Sequence, residues 1–120
     1  MELVIGGVYQ GKLEYAREKY GFSAEEVFEC RGDRDLDPSA RCIRGYQRYV
    51  AYCVRTGLEP VTDFPPETVV LADDIFCGVV PIDGELRQVR DETGRALARI
   101  AANAEVVTRI FCGIPQRLKG

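Results

Sequence analysis

Two hydrophobic rhythms alternate along the chain. Leu3-Val4-Ile5 is a short apolar run closed by Gly6-Gly7, which predicts a buried strand entering a glycine turn. Residues 11–20 read as a helix stopped by Gly21. Val27-Phe28-Glu29-Cys30 predicts a second strand, and in the polar stretch after it Asp37 or Ser39 beside Pro38 marks a helix start. From Ala40 to Thr56, Ile43, Tyr46, Val50 and Cys53 recur at helical spacing, and Gly57 closes the segment. Arg41, Arg44, Arg48 and Arg55 fall on another side of that helix, a basic face read by default as solvated. After a proline-rich connection, Val69-Val70-Leu71-Ala72 predicts an inner parallel strand ending at Asp73-Asp74. The turn-rich residues 74–84 lead to a helix from Glu85 to Asn103 with a buried stripe of Leu86, Val89, Thr93, Leu97 and Ile100. Val106 to Phe111 reads as the last strand, ending at Cys112-Gly113. Strands alternating with helices predict an α/β fold, a mostly parallel sheet flanked by helices, with residues 1–120 as one compact domain.

Composition narrows the classes of function. A net charge of −3 argues against general nucleic-acid binding. No apolar run reaches the roughly 20 residues of a membrane span, and the amino terminus has no signal-peptide core, so no membrane partner is expected. Five cysteines, odd in number and without a CxxC pair, fit reduced thiols in a cytoplasmic protein. Cys30, Cys77 and Cys112 each follow an apolar run, which leaves open a thiolate cluster at the sheet edge; inert buried thiols are the commoner arrangement, and no metal site is assigned. Histidine is absent, which removes imidazole bases, ligands and nucleophiles. The chain is short for a self-sufficient core, and Gly94, Ala98 and Ala102 lie four apart, so self-association is expected.

Gly6-Gly7-Val8-Tyr9-Gln10-Gly11-Lys12 matches the phosphate-loop pattern GxxxxGK. In that pattern glycines let backbone N–H groups face phosphates, the following helix presents its positive end, and the lysine adds a point charge. The context is right, with an apolar strand before it and a helix after it. Gly6 through Leu13 are therefore the candidate nucleotide-binding residues of a P-loop NTPase-like domain. The position after the lysine normally carries Ser or Thr as a Mg²⁺ ligand, and here it is Leu13. Leucine offers no oxygen to a hard cation. Phosphate binding is expected, with metal-assisted transfer impaired or lost.

Gly78-Val79-Val80-Pro81, Arg87 through Gly94, the loop stretch GGVYQGKLEYA and the pair Glu29-Cys30 together resemble the adenosylcobinamide kinase/adenosylcobinamide-phosphate guanylyltransferase family of cobalamin biosynthesis. Gly78-Val79-Val80-Pro81 is similar to its G-[IV]-V-P turn, and Arg87 through Gly94 to its R-x-x-R-D-x-x-G helix start. The stretch GGVYQGKLEYA resembles its phosphate loop, and Glu29-Cys30 its acidic-Cys strand end. The resemblance covers most of the chain. It implies GTP or ATP as ligand, a corrinoid substrate and a trimeric assembly. Lys12 and an acidic partner, Glu29 or Asp73, become the catalytic candidates; Arg87, Arg90 and Asp91 become substrate or interface residues, against the plainer reading of a helix-surface salt bridge. The block that carries the family's GMP-accepting histidine is missing between the first helix and the Glu29-Cys30 strand. The expected protein is a nucleotide-binding homologue without guanylyl transfer and with its kinase step in question, or a pseudoenzyme that keeps only the fold and binds or regulates. With no imidazole in the chain, incubation with α-labelled GTP should leave no acid-labile labelled band on denaturing electrophoresis.

Overall fold

A computed structural model describes residues 1–73 and 84–120. The turn at Gly78–Pro81, together with Asp74 and Cys77, lies outside them. Side chains alternate in direction along a strand, so a strand apolar at successive positions has to be covered on both faces. The strand β1 (Glu2–Gly6) meets that condition, with Leu3 in one core and Val4 in the other. The strand β4 (Val69–Asp73) does the same, sending Val70 and Ala72 one way and Val69 and Leu71 the other.

Helix α1 (Lys12–Tyr20) covers the Val4 face through Ala16 and ends at Gly21, whose φ of 67° is left-handed. Helices α2 (Tyr46–Thr56) and α3 (Gly84–Asn103) cover the Leu3 face through Tyr46, Tyr49, Val50, Ala96 and Ile100. The strands β2 (Val27–Glu29), β3 (Cys42–Arg44), β5 (Val106–Phe111) and β6 (Ile114–Lys119) complete one six-stranded sheet in the order β2-β3-β4-β1-β5-β6. All neighbours are parallel except β5 and β6. The result is an α/β sandwich with its sheet between helical layers. Among the described residues, no helix is long and apolar enough to cross a membrane.

Four features differ from the sequence reading. The helix expected over 40–56 begins only at Tyr46, because Cys42 and Ile43 are buried on opposite faces as β3, between β2 and β4. Gly45, at φ 75°, turns the chain from strand into helix. The expected helix start near Pro38 is a turn, in which Asp37 accepts hydrogen bonds from the Ser39 amide at 3.0 Å and its hydroxyl at 2.7 Å. Val106–Phe111 is not the last strand: Cys112 (φ 51°) and Gly113 (φ 75°) form a tight hairpin into β6. On α3, Leu86 is exposed, and Ala96 takes a buried position alongside Thr93 and Ile100.

The α1-side core also encloses a carboxylate. Glu2 shares a strand face with Val4, and its side chain is 1% exposed. It accepts hydrogen bonds from Tyr15 Oη (2.8 Å), Lys19 Nζ (2.8 Å), Thr108 Oγ1 (2.6 Å) and Tyr20 Oη. Burial alone would push the Glu2 carboxyl up, but Lys19, Thr108, Tyr20 and Tyr15 together hold it below its ordinary 4.5. Burial and the bond to Glu2 push the Tyr20 phenol up to about 12, so it stays a donor. A group depressed in the folded state stabilises above its unfolded value and loses that contribution as pH falls through the folded one. Glu2→Gln should therefore cost about 2–4 kcal/mol in urea unfolding at pH 7, a buried ion pair having lost one partner. Below pH 4.5 the gap between wild type and variant should narrow. An equal gap at pH 7 and pH 3 would contradict the assignment.

Candidate functional site

At the end of β1 the backbone passes very close to β5. A Cβ on Gly6 would lie 2.6 Å from the Ile110 carbonyl oxygen, so this position admits only glycine. The loop that follows reaches α1 through Tyr9 at φ 61° and Gly11 at φ 94°. Tyr9 is 99% exposed, which leaves its ring with no packing role. Gly11 precedes the first turn of α1 with no side-chain cap, so the turn's leading N–H groups are left for solvent or an anion. Gln10 braces the loop from outside. Its side-chain oxygen accepts from the Cys112 amide, and its carbonyl accepts from the Gly113 amide at 2.9 Å.

Lys12 folds back beneath the loop. Its ammonium donates to the carbonyls of Gly7 (2.7 Å) and Gly6 (3.3 Å), and pairs with Asp73 Oδ1 at 2.7 Å. Asp73 ends β4, in register with Gly6 at the end of β1. From these adjacent ends α1 departs over one face of the sheet and α3 lies on the other. That divergence opens a crevice at the carboxyl edge, where α/β sheets bind ligands. Asp73 is itself clamped. Gln47 Nε2 on α2 donates to Asp73 Oδ2 at 3.1 Å, and the Asp73 amide donates to Gln47 Oε1 at 3.0 Å.

A cleft of about 580 Å³ runs from this junction across the sheet. The glycine loop, Leu13 and Glu14 form one wall; Glu29, Arg44, Gly45, Gln47 and Arg48 form the other, with Leu71 and Asp73 between. Of the two acidic candidates, Asp73 touches Lys12. Glu29 stands at the end of β2, with a carboxylate oxygen 3.9 Å from Arg48. Leu13 is partly buried and packs against the α1-side core. Arg87, Arg90 and Asp91 lie on the first turns of α3, and are not among the described residues that line the cleft. Arg90 reaches its neighbour Asp91 at 3.5 Å.

The four arginines expected on one solvated helix face separate. Arg41 precedes β3, pairs with Glu26 at 2.7 Å and lies over the Phe22 ring. Arg55 donates to the Gly32 carbonyl. Arg44 and Arg48 face the cleft, which helical spacing could not show because Arg44 belongs to a strand. Gln47 had no signal in the sequence: its role depends on meeting Asp73, 26 positions away.

Of the three cysteines considered for a cluster, Cys30 and Cys112 stand apart, and Cys77 lies outside the described residues. Cys30 lies in the core beside β2, and Cys112 is exposed at the β5–β6 turn, with three strands between β2 and β5. Burial pushes the Cys30 thiol up to about 11 and Cys42 to about 12, so both stay protonated. Among the described residues, no group of three cysteine or carboxylate side chains is placed to hold a metal ion.

No family model matches the chain, and no curated protein matches it significantly. Gly6→Ala tests the loop's anchor: a methyl group pressed on the Ile110 carbonyl forces β1 and β5 apart. Stability should fall by about 1–3 kcal/mol, where Gly7→Ala, with only the Gln10 side chain at 3.4 Å, should cost less than half of that. Thermal unfolding of the two variants side by side decides it.

Proposed function

We propose that the chain binds a nucleoside triphosphate, GTP or ATP, by its polyphosphate, as a P-loop-type homologue of adenosylcobinamide kinase/guanylyltransferase that has lost guanylyl transfer. One observation carries the reading. A strand, a glycine loop and an uncapped helix start hold the Lys12 ammonium, 10% exposed, at the mouth of a cleft large enough for a nucleotide. Its present partners are two loop carbonyls and Asp73. A phosphate oxygen entering the loop would take over part of this coordination, exchanging neutral carbonyls for a charged acceptor. The leading N–H groups of α1 would supply further donors.

The divalent ion that usually accompanies such nucleotides does not fit the residues present. Leu13 supplies no oxygen, and its side chain is partly spent on packing. The two Asp73 oxygens are engaged by Lys12 and Gln47. Among the described residues, kinase chemistry through Mg²⁺ therefore has no ready ligand set at the loop. This favours a second reading, a pseudoenzyme that binds nucleotide and regulates or scaffolds without turning it over. A corrinoid partner, trimeric assembly, cytoplasmic location and a substrate or interface role for Arg87, Arg90 and Asp91 belong to the proposal through the family resemblance alone.

Calorimetric titration with GTP and ATP, on wild type and Lys12→Ala, tests it. The variant should bind at least about tenfold more weakly, the loss expected for one charge-assisted hydrogen bond. Equal affinities for the two proteins, or a wild type that binds neither nucleotide, would overturn the proposal.

A further inference from the structure

The far wall of the cleft carries two cations that the glycine-loop reading does not use. Arg44, the last residue of β3, is exposed, and its guanidinium has no hydrogen-bond or ion-pair partner among the described residues. Arg48, one turn into α2, lies 3.9 Å from Glu29, beyond hydrogen-bond range. Its guanidinium folds back over Gly45, where a Cβ would come within 2.5 Å of Arg48 Nη2. The glycine leaves room for that side chain to lie along the cleft. Two arginines therefore border one cavity, one without a partner among the described residues and the other loosely held.

Their place relative to the loop is set by the sheet. β3 is next to β4, and β4 next to β1, all parallel, with Arg44 in register with Leu71 and Leu71 with Val4. The carboxyl ends of β3 and β1 are thus two strand spacings apart, roughly 10 Å. A polyphosphate chain anchored at Lys12, met by extended arginine side chains, covers such a gap. Planar guanidinium groups match phosphate oxygens in pairs, which a lysine cannot do.

We propose that Arg44 and Arg48 form a second anion subsite, which takes the terminal phosphates of the nucleotide and supplies the charge neutralisation that Leu13 denies to a metal ion. This rests on the nucleotide reading above. Glu14 and Glu29 line the same cleft and set its selectivity, since a ligand with few negative charges gains too little from the arginines to offset their repulsion.

The test is titration of ATP, ADP, AMP and inorganic triphosphate into wild type, Lys12→Ala, Arg44→Gln and Arg48→Gln, in chelator and in Mg²⁺. Wild type should bind ATP as tightly in chelator as in Mg²⁺. Each arginine variant should lose about tenfold on ATP and triphosphate, and less than about twofold on AMP. Arginine variants that match wild type while Lys12→Ala weakens would overturn the subsite and leave the nucleotide reading standing. Tight triphosphate binding that depends on the arginines, with no gain from the nucleoside, would uphold the anion subsite and overturn the nucleotide reading. Equal losses on AMP and ATP would overturn the assignment to terminal phosphates, as would wild-type ATP binding that tightens tenfold or more with Mg²⁺. Binding of none of the four ligands, and none of GTP either, would overturn both.

Discussion

One ammonium group holds the carboxyl end of this sheet together. Lys12 is almost enclosed, and an enclosed charge has to be compensated by partners fixed in place. Its compensation comes from both sides of the central strand pair: loop carbonyls at the end of β1 and the carboxylate at the end of β4. That carboxylate is held on its other oxygen by Gln47, which reaches across from α2. Loop, sheet and a helix on the opposite face thus meet at a single cation, and the shape of the cleft follows from where these three elements converge.

A different polar device operates under α1. The Glu2 carboxylate sits where alternation calls for an apolar side chain, yet two phenols, a hydroxyl and an ammonium surround it. Such a network is directional where apolar packing is not, so it fixes α1 against β1 in one rotation and one register. The same rotation sets which residues of the first turn face the cleft. A charged group deep in the core therefore bears on a site at the other end of the strand.

The parts legible in the sequence are those whose signal is local. β1, α1, β4, α3 and β5 each have an apolar run or a helical period bounded by glycine, proline or charge. β3 was hidden because Ile43, Tyr46, Val50 and Cys53 satisfy helical spacing whether or not the first of them belongs to the helix. Only Gly45 betrays the break, and its left-handed φ is invisible in a one-letter code. β6 was hidden for the opposite reason: all six of its residues are exposed, and a solvated edge strand has no buried face to impose alternation. At the site, the loop, Lys12 and Leu13 are contiguous and could be read together. The far wall draws Glu29 from β2, Arg44 from β3, and Gln47 and Arg48 from α2, a grouping that only the strand order brings about.

Gln10 joins the first loop of the chain to the last hairpin across 102 positions. Closing so long a span removes much of the freedom the loop would have if it hung from β1 alone. Part of the ordering entropy that a flexible loop would surrender on binding the proposed nucleotide is therefore already spent in folding, and the carboxyl-terminal hairpin acts as a clasp that keeps the loop ordered. Through that clasp the loop and the hairpin become thermodynamically linked: whatever ties down the loop also tightens the hairpin, and a hairpin that opens loosens the loop.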